Sequence, residues 1–221
     1  VCVNTGNYLG RGVEYVHNLH RMVEQHVTVP HTFCVVTDDD AGNYPDMIVK
    51  RSAYTGWWEK IRLFKRGMFT GKTVFMDLDA VILKNIDHIV THETQFATLQ
   101  DFWNKHGLGP AFILFDPDFA ATLYDEWAAC GFRKVGNGDQ TWLEDFDQGR
   151  FKKEIDILQD LFPDEFVSYK EHCTEGKRSW RYKGKQLPPP QTARVVCFHG
   201  EPRPHEAGGW VNEYWRELEH V

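Results

Sequence analysis

The run Val74-Phe75-Met76-Asp77-Leu78-Asp79 places two carboxylates at the carboxyl end of an uninterrupted apolar stretch, Thr73 to Met76. Such a stretch marks a strand covered on both faces. Residues two apart in extended chain face the same side, and open α/β sheets bind ligands beyond the carboxyl ends of their strands. Two like charges held together there favour a hard divalent cation, Mn²⁺ or Mg²⁺, which also takes phosphate oxygens. The same string admits a covalent route, with Asp77 as nucleophile and Asp79 as general acid in phosphoester hydrolysis. A bland reading, in which the pair only caps the following turn, needs no ligand. The local string does not separate these readings.

The elements around it are those of an α/β layer. The chain has 221 residues, about 1.5 typical domain lengths, so one domain over 1–221 is expected. Hydrophobic residues make up 42% and charged ones 26%, which excludes collagen-like, disordered and coiled-coil classes. Val1–Val3, Phe33–Val36, Met47–Val49, Thr73–Met76, Phe96–Leu99, Ala111–Phe115, Phe166–Tyr169 and Val195–Phe198 read as strands. Tyr15, Val16, Leu19, Met22 and Val23 recur at helical spacing. Trp57–Phe69, Phe119–Ala129 (with Asp118 as N-cap) and Asp139–Phe146 read as further helices. Strands alternating with helices predict a mixed, mainly parallel, Rossmann-like central sheet. Trp57 and Trp58 are expected in the core.

The remaining composition sets the class of partner. A net charge of −7 argues against bulk nucleic-acid binding, and no apolar run approaches the length of a membrane span. The five cysteines are scattered, form no CxxC and are expected as reduced thiols in a cytoplasmic protein. No signal-peptide pattern opens the sequence. His172, Cys173, Cys197, His199 and His205 match no common structural zinc spacing. The run Asp38 to Asp40 reads as a solvated turn. Residues 171–193 form a basic and proline-rich loop or flap, with five basic residues from Lys177 to Lys185 and then Pro188 to Pro190. Residues 194–221 are expected to close the site.

Four more strings accompany the carboxylate pair in order. They are Asn4-Thr5-Gly6-Asn7-Tyr8, Gly56-Trp57-Trp58-Glu59-Lys60, Gly138-Asp139-Gln140 and Cys197-Phe198-His199-Gly200-Glu201-Pro202-Arg203-Pro204. Asp77-Leu78-Asp79-Ala80-Val81 also satisfies the first motif of HAD-type phosphatases. That motif, however, opens its chains, and here 76 residues with several strands precede it. Together the strings resemble the retaining GT-A glycosyltransferases related to glycogenin and the lipopolysaccharide galactosyltransferases. They look closest to short bacterial and phage glycosyltransferases with a GWW-K helix, an LDLD strand and a terminal FHG-P-K/R-P motif. The resemblance spans Val3 to about Trp215.

The resemblance implies a GT-A-like fold and transfer from a nucleoside diphosphate sugar, a UDP-sugar by preference, with retention. The acceptor is expected to be a glycan or small molecule. Asp77 and Asp79 would hold the metal, with His199 as third ligand. Arg203 would contact phosphate, and Gly200 would let the backbone approach it. Lys60 would lie near the donor, Tyr8 would stack on the base and Thr5 would bond its edge. Asp101, Asp139 and Gln140 would line the sugar and reaction face. One departure stands out: the family's histidine falls three residues before the glycine, at Cys197 here. Positions 197 and 199 are expected on one side of a strand, and imidazole suits Mn²⁺ better than thiolate. A HAD-like phosphatase and a non-catalytic nucleotide-sugar or carbohydrate-binding module are the alternatives.

Overall fold

The computed structural model describes residues 1–134, 136, 138–145, 154–175 and 184–215. Its strands are β1 (Cys2–Asn4), β2 (Cys34–Thr37), β3 (Ile48–Arg51), β4 (Thr73–Met76), β5 (Ala80–Ile82), β6 (Phe96–Gln100), β7 (Leu108–Phe115), β8 (Asp156–Ile157), β9 (Phe166–Ser168) and β10 (Val195–Cys197). Its α-helices are α1 (Gly12–His26), α2 (Trp58–Arg62), α3 (Asp87–Val90), α4 (Pro117–Ala129), α5 (Asp139–Asp145), α6 (Leu158–Leu161), α7 (Tyr169–His172), α8 (Pro204–Ala207) and α9 (Val211–Tyr214).

β1, β2 and β3 pair in parallel. Val1 carries the layer across to β4, donating to Val74 O at 2.6 Å and accepting from Met76 N at 3.1 Å. One residue bonding to both neighbours of its partner is the parallel pattern. Beyond β4 the sheet is mixed. β7 runs antiparallel to both β4 and β6, and β8 joins β6 in parallel. Because β7 is reversed against both neighbours, β4, β6 and β8 share one direction with β1 to β3. β7 is the one reversed strand among those described in this layer, so the sheet is mixed and mainly parallel, as expected. A short loop joins β6 to β7, and a short connection forces antiparallel neighbours. A smaller sheet sets β10 between β5, antiparallel, and β9, parallel.

The main sheet has a core on each face. Val35 and Met76 point into one cluster with the apolar side of α1, while Val36 and Phe75 point into the other with α4. Adjacent residues of a strand face opposite ways, so the continuous apolar runs are what two-sided burial requires.

Local readings differ from the structure in instructive places. α2 stops at Arg62 rather than running to Phe69; Leu63 and Phe64 stay buried in turns, and Gly67 takes φ +78. The N-cap of α4 is Asp116, not Asp118: its Oδ1 accepts from Asp118 N and Phe119 N, both at 3.0 Å, with Pro117 in the first turn. β9 ends at Ser168 because that hydroxyl accepts Glu171 N at 3.2 Å and starts α7. Asp38 is more than a solvated turn residue, since its carboxylate accepts Gly6 N and ties the β2 end to the loop after β1.

Most of the basic run from Lys177 lies outside the described residues. Its flanks do pair, with Thr174 bridged to Gln186 and Leu187 N donating to Cys173 O at 2.8 Å. The five cysteines form no disulfide, and Cys130 alone among them is exposed. Among the described residues no helix is long and apolar enough to cross a membrane.

Candidate active site

The site starts at the end of β4. Asp77 N donates to Ala111 O at 2.8 Å, and Ala80 N donates back to Asp77 O at 3.1 Å, closing a tight turn into β5. Leu78 anchors that turn in the core. Alternation then sends Asp77 and Asp79 the other way, into a cleft of about 330 Å³ that Thr5, Tyr8 and Lys60 also line. A larger groove of about 1000 Å³ lies between α1, the start of β3 and the loop before β4. We assign the site to the smaller cleft, because that one gathers the carboxylates and their cations.

α2 supplies Lys60. Trp58 stacks on Trp127 with ring centroids 5.5 Å apart. Glu59 is wholly buried and accepts Ala53 N and Tyr54 N at 3.1 and 2.7 Å. With its two predecessors fixed, Lys60 Nζ stands 2.8 Å from Asp77 Oδ1 and 3.3 Å from Asp139 Oδ2. The second contact is an ion pair without an aligned hydrogen bond. Burial works against the ammonium, but Asp139 and Asp77 outweigh it and raise its pKa. Burial raises Asp139 in turn, with Lys60 opposing.

β10 supplies the opposite wall. Its antiparallel register sets Cys197 beside Ala80, so the chain after it passes over Asp79. Arg203 is thereby delivered to Asp79, whose Oδ2 also accepts Tyr8 OH at 2.9 Å. Glu206 steadies the arginine by accepting its backbone N–H at 2.9 Å. Burial and the charge of Asp77 push Asp79 up to about 6, against the pull of Arg203. Gly200 takes φ +70, a conformation that glycine adopts freely.

The predicted residues fall into two groups. Thr5, Tyr8, Lys60, Asp77, Asp79, His199, Gly200 and Arg203 line one cleft. Asp101, Asp139 and Gln140 lie off the cleft wall. Asp139 is buried beside Lys60. Gln140 donates to Asp101 Oδ2 at 3.4 Å, while Asp101 Oδ1 accepts Trp103 N and Asn104 N. Tyr8 turns its hydroxyl to Asp79, and Thr5 Oγ1 accepts Gly56 N at 3.0 Å.

His199 is not gathered onto the carboxylate pair. Among the described residues no three His, Cys, Asp or Glu side chains meet closely enough to hold a metal ion. β10 ends at Cys197, so strand alternation stops before residue 199. Cys197 keeps the side toward Asp77 and Asp79, and burial followed by those charges raises its thiol, which stays neutral. His199 Nε2 instead shares a 2.6 Å hydrogen bond with Ser168 Oγ, and its ring stacks on Phe102 and meets Trp103 edge-on. Burial and Lys170 lower its pKa to about 4. The two carboxylates still suit a divalent cation: among the described residues no donor meets Asp77 Oδ2 or Asp79 Oδ1.

Sequence reasoning missed Ser168, Lys170 and the exposure of Trp57. Ser168 is legible afterwards, as the first residue of a Ser-x-x-Glu helix start. Lys170 is 6% exposed, lies 5.4 Å from the Trp103 ring, and burial and Arg203 lower it to about 8. A lone lysine in a polar run gives no such signal. Trp57 is 61% exposed, contrary to the core placement expected for it.

The sequence matches no known protein-family profile and no curated protein. The fold does match solved structures. The galactosyltransferase LgtC, in complex with donor and acceptor sugar analogs, superposes over 100% of this chain and 96% of its own, with TM-score 0.66 and 11% identity. The bifunctional WbbM glycosyltransferase matches over 99% of this chain and 49% of its own, with TM-score 0.65 and 12% identity. The glycosyltransferase GlyE of Streptococcus pneumoniae TIGR4 matches over 73% of this chain and 45% of its own, at 0.55 and 11%. The fold is thus the GT-A-like fold of these enzymes, shared at identities that carry architecture alone.

Proposed function

We propose that the protein transfers a glycosyl group from a nucleoside diphosphate sugar, a UDP-sugar by preference, to a glycan or small-molecule acceptor. The observation that carries this is one cleft in which Lys60 faces Asp77 and Arg203 faces Asp79. Its place at the carboxyl end of β4, in a chain with a glycosyltransferase fold, supports the reading.

Asp77 and Asp79 would hold Mn²⁺ or Mg²⁺, which when bound offsets charge on a leaving diphosphate. Arg203 has the forked guanidinium that suits phosphate oxygens, and turning from Asp79 to the donor keeps it paired. Lys60 pairs with Asp77 and Asp139 behind the donor. Gly200 leaves room for phosphate beside the backbone. Thr5 and Tyr8 take the base end of the cleft. Asp139, Gln140 and Asp101 are assigned to the transferred sugar and the reaction face, with retention of configuration. His199 is assigned here to shaping the cleft through Ser168.

The test is incubation with UDP- and GDP-sugars plus Mn²⁺, with nucleotide release followed by mass spectrometry. Release of UDP that Asp79→Asn abolishes is the expected result. Phosphate release with an aspartyl-phosphate trapped on Asp77 would mark a phosphatase instead.

A further inference from the structure

We infer that Trp57 is a stacking platform at the mouth of the cleft, receiving a ring of the donor on its open indole face. This deepens the nucleotide-sugar reading and rests on it. Four large apolar side chains are notably exposed among the described residues: Leu9, Ile48, Trp57 and Phe132. Only Trp57 lines the cleft that holds Asp77 and Asp79. Its neighbour Trp58 is 8% exposed, so two adjacent indoles of one motif have opposite fates. Trp58 stacks on Trp127 in the core; Trp57 finds no such cover.

The exposed indole is also held in place. Gly56, at φ +62, donates its N–H to Thr5 Oγ1 on one side of it. On the other, Gly138 at φ +94 packs so closely that an added Cβ would lie 2.8 Å from Trp57 Cε3. Behind it, Glu59 fixes the preceding backbone at residues 53 and 54. Exposing a large indole wastes burial that could stabilise the fold. A rigid, exposed aromatic beside a polar cleft suits the flat face of a nucleobase or the apolar face of a pyranose. Both are rings of one donor, and they differ in which ligands lose affinity when the indole is removed.

The experiment is isothermal titration of UMP, UDP and UDP-glucose, with Mn²⁺, into wild type, Trp57→Ala and Trp57→Phe. A stacked base predicts that Trp57→Ala weakens all three by about tenfold. A stacked sugar predicts the same loss for UDP-glucose alone. Trp57→Phe should recover most of the affinity in either case. The apo melting temperature of Trp57→Ala should stay within about 2 °C of wild type, because an exposed side chain contributes little to the core. Wild-type affinity for all three ligands in Trp57→Ala would overturn the inference, as would a large apo destabilisation with affinities intact. Failure of the wild type itself to bind any of them would remove the nucleotide-sugar reading, and the stacking role with it.

Discussion

Arg203 forms an ion pair with Asp79 across 124 residues of sequence. Its counterpart is Lys60 on Asp77 at 2.8 Å. Each carboxylate of the pair thus has its own cation, brought from a different element. The two cations are not equivalent, since Lys60 is shared with Asp139 whereas Arg203 is shared with the hydroxyl of Tyr8.

Lys60→Met should destabilise the fold by about 3 kcal/mol, because it strands the buried carboxylate of Asp139 and removes the partner of the part-exposed Asp77. The deficit should shrink on acidification, as Asp139, whose carboxyl burial already raises, takes up a proton, and on addition of Mn²⁺. Urea unfolding at pH 7.5 and pH 5, with and without metal, reads this directly. A loss below about 1 kcal/mol at pH 7.5 would show the ion pair to be energetically idle.

UDP with Mn²⁺ should stabilise the protein, and UDP with EDTA should not. At a ligand concentration 100 times Kd the gain is about 2.7 kcal/mol, or roughly 5–10 °C in Tm for a chain of this size. Asp79→Asn should remove the metal-dependent part of the shift. Equal shifts with and without metal would separate the carboxylate pair from diphosphate binding.

His199 predicts a pH dependence of stability. Its folded pKa of about 4 lies below the ordinary value of about 6.5. Between those values the unfolded chain binds a proton that the folded chain refuses. The stabilisation is therefore complete above about pH 6.5 and is lost progressively as pH falls to 4. His199→Gln, which keeps a polar partner for Ser168, should flatten that slope in urea midpoints measured from pH 7.5 to 4. An unchanged slope would place the titrating group elsewhere.

Glu59→Ala should cost about 2–4 kcal/mol, since it leaves the N–H groups of Ala53 and Tyr54 and the guanidinium of Arg62 without their carboxylate. Amide exchange at residues 53 and 54 should accelerate along with the loss of stability. Normal protection there would mean that the loop before α2 is held by other contacts.

Much of this was written locally. The apolar run before Asp77 announced a strand buried on both faces, and a spacing of two put Asp77 and Asp79 on one side of it. The helical period of Tyr15 to Met22 was equally plain, because side-chain period follows backbone geometry and is repeated within a few residues. Distant pairings follow another rule. Arg203 meets Asp79 because β10 docks antiparallel on β5 in one register, and that register is chosen by burying the whole sheet. His199 leaves the carboxylates because β10 stops at Cys197, where the chain turns it to Ser168 on a neighbouring strand. Trp57 and Trp58 are the same residue type one position apart. The sequence set both at the start of a helix, and only the packing of α4 decided which indole was covered, because a helix offers one face to its partner and leaves the other to solvent.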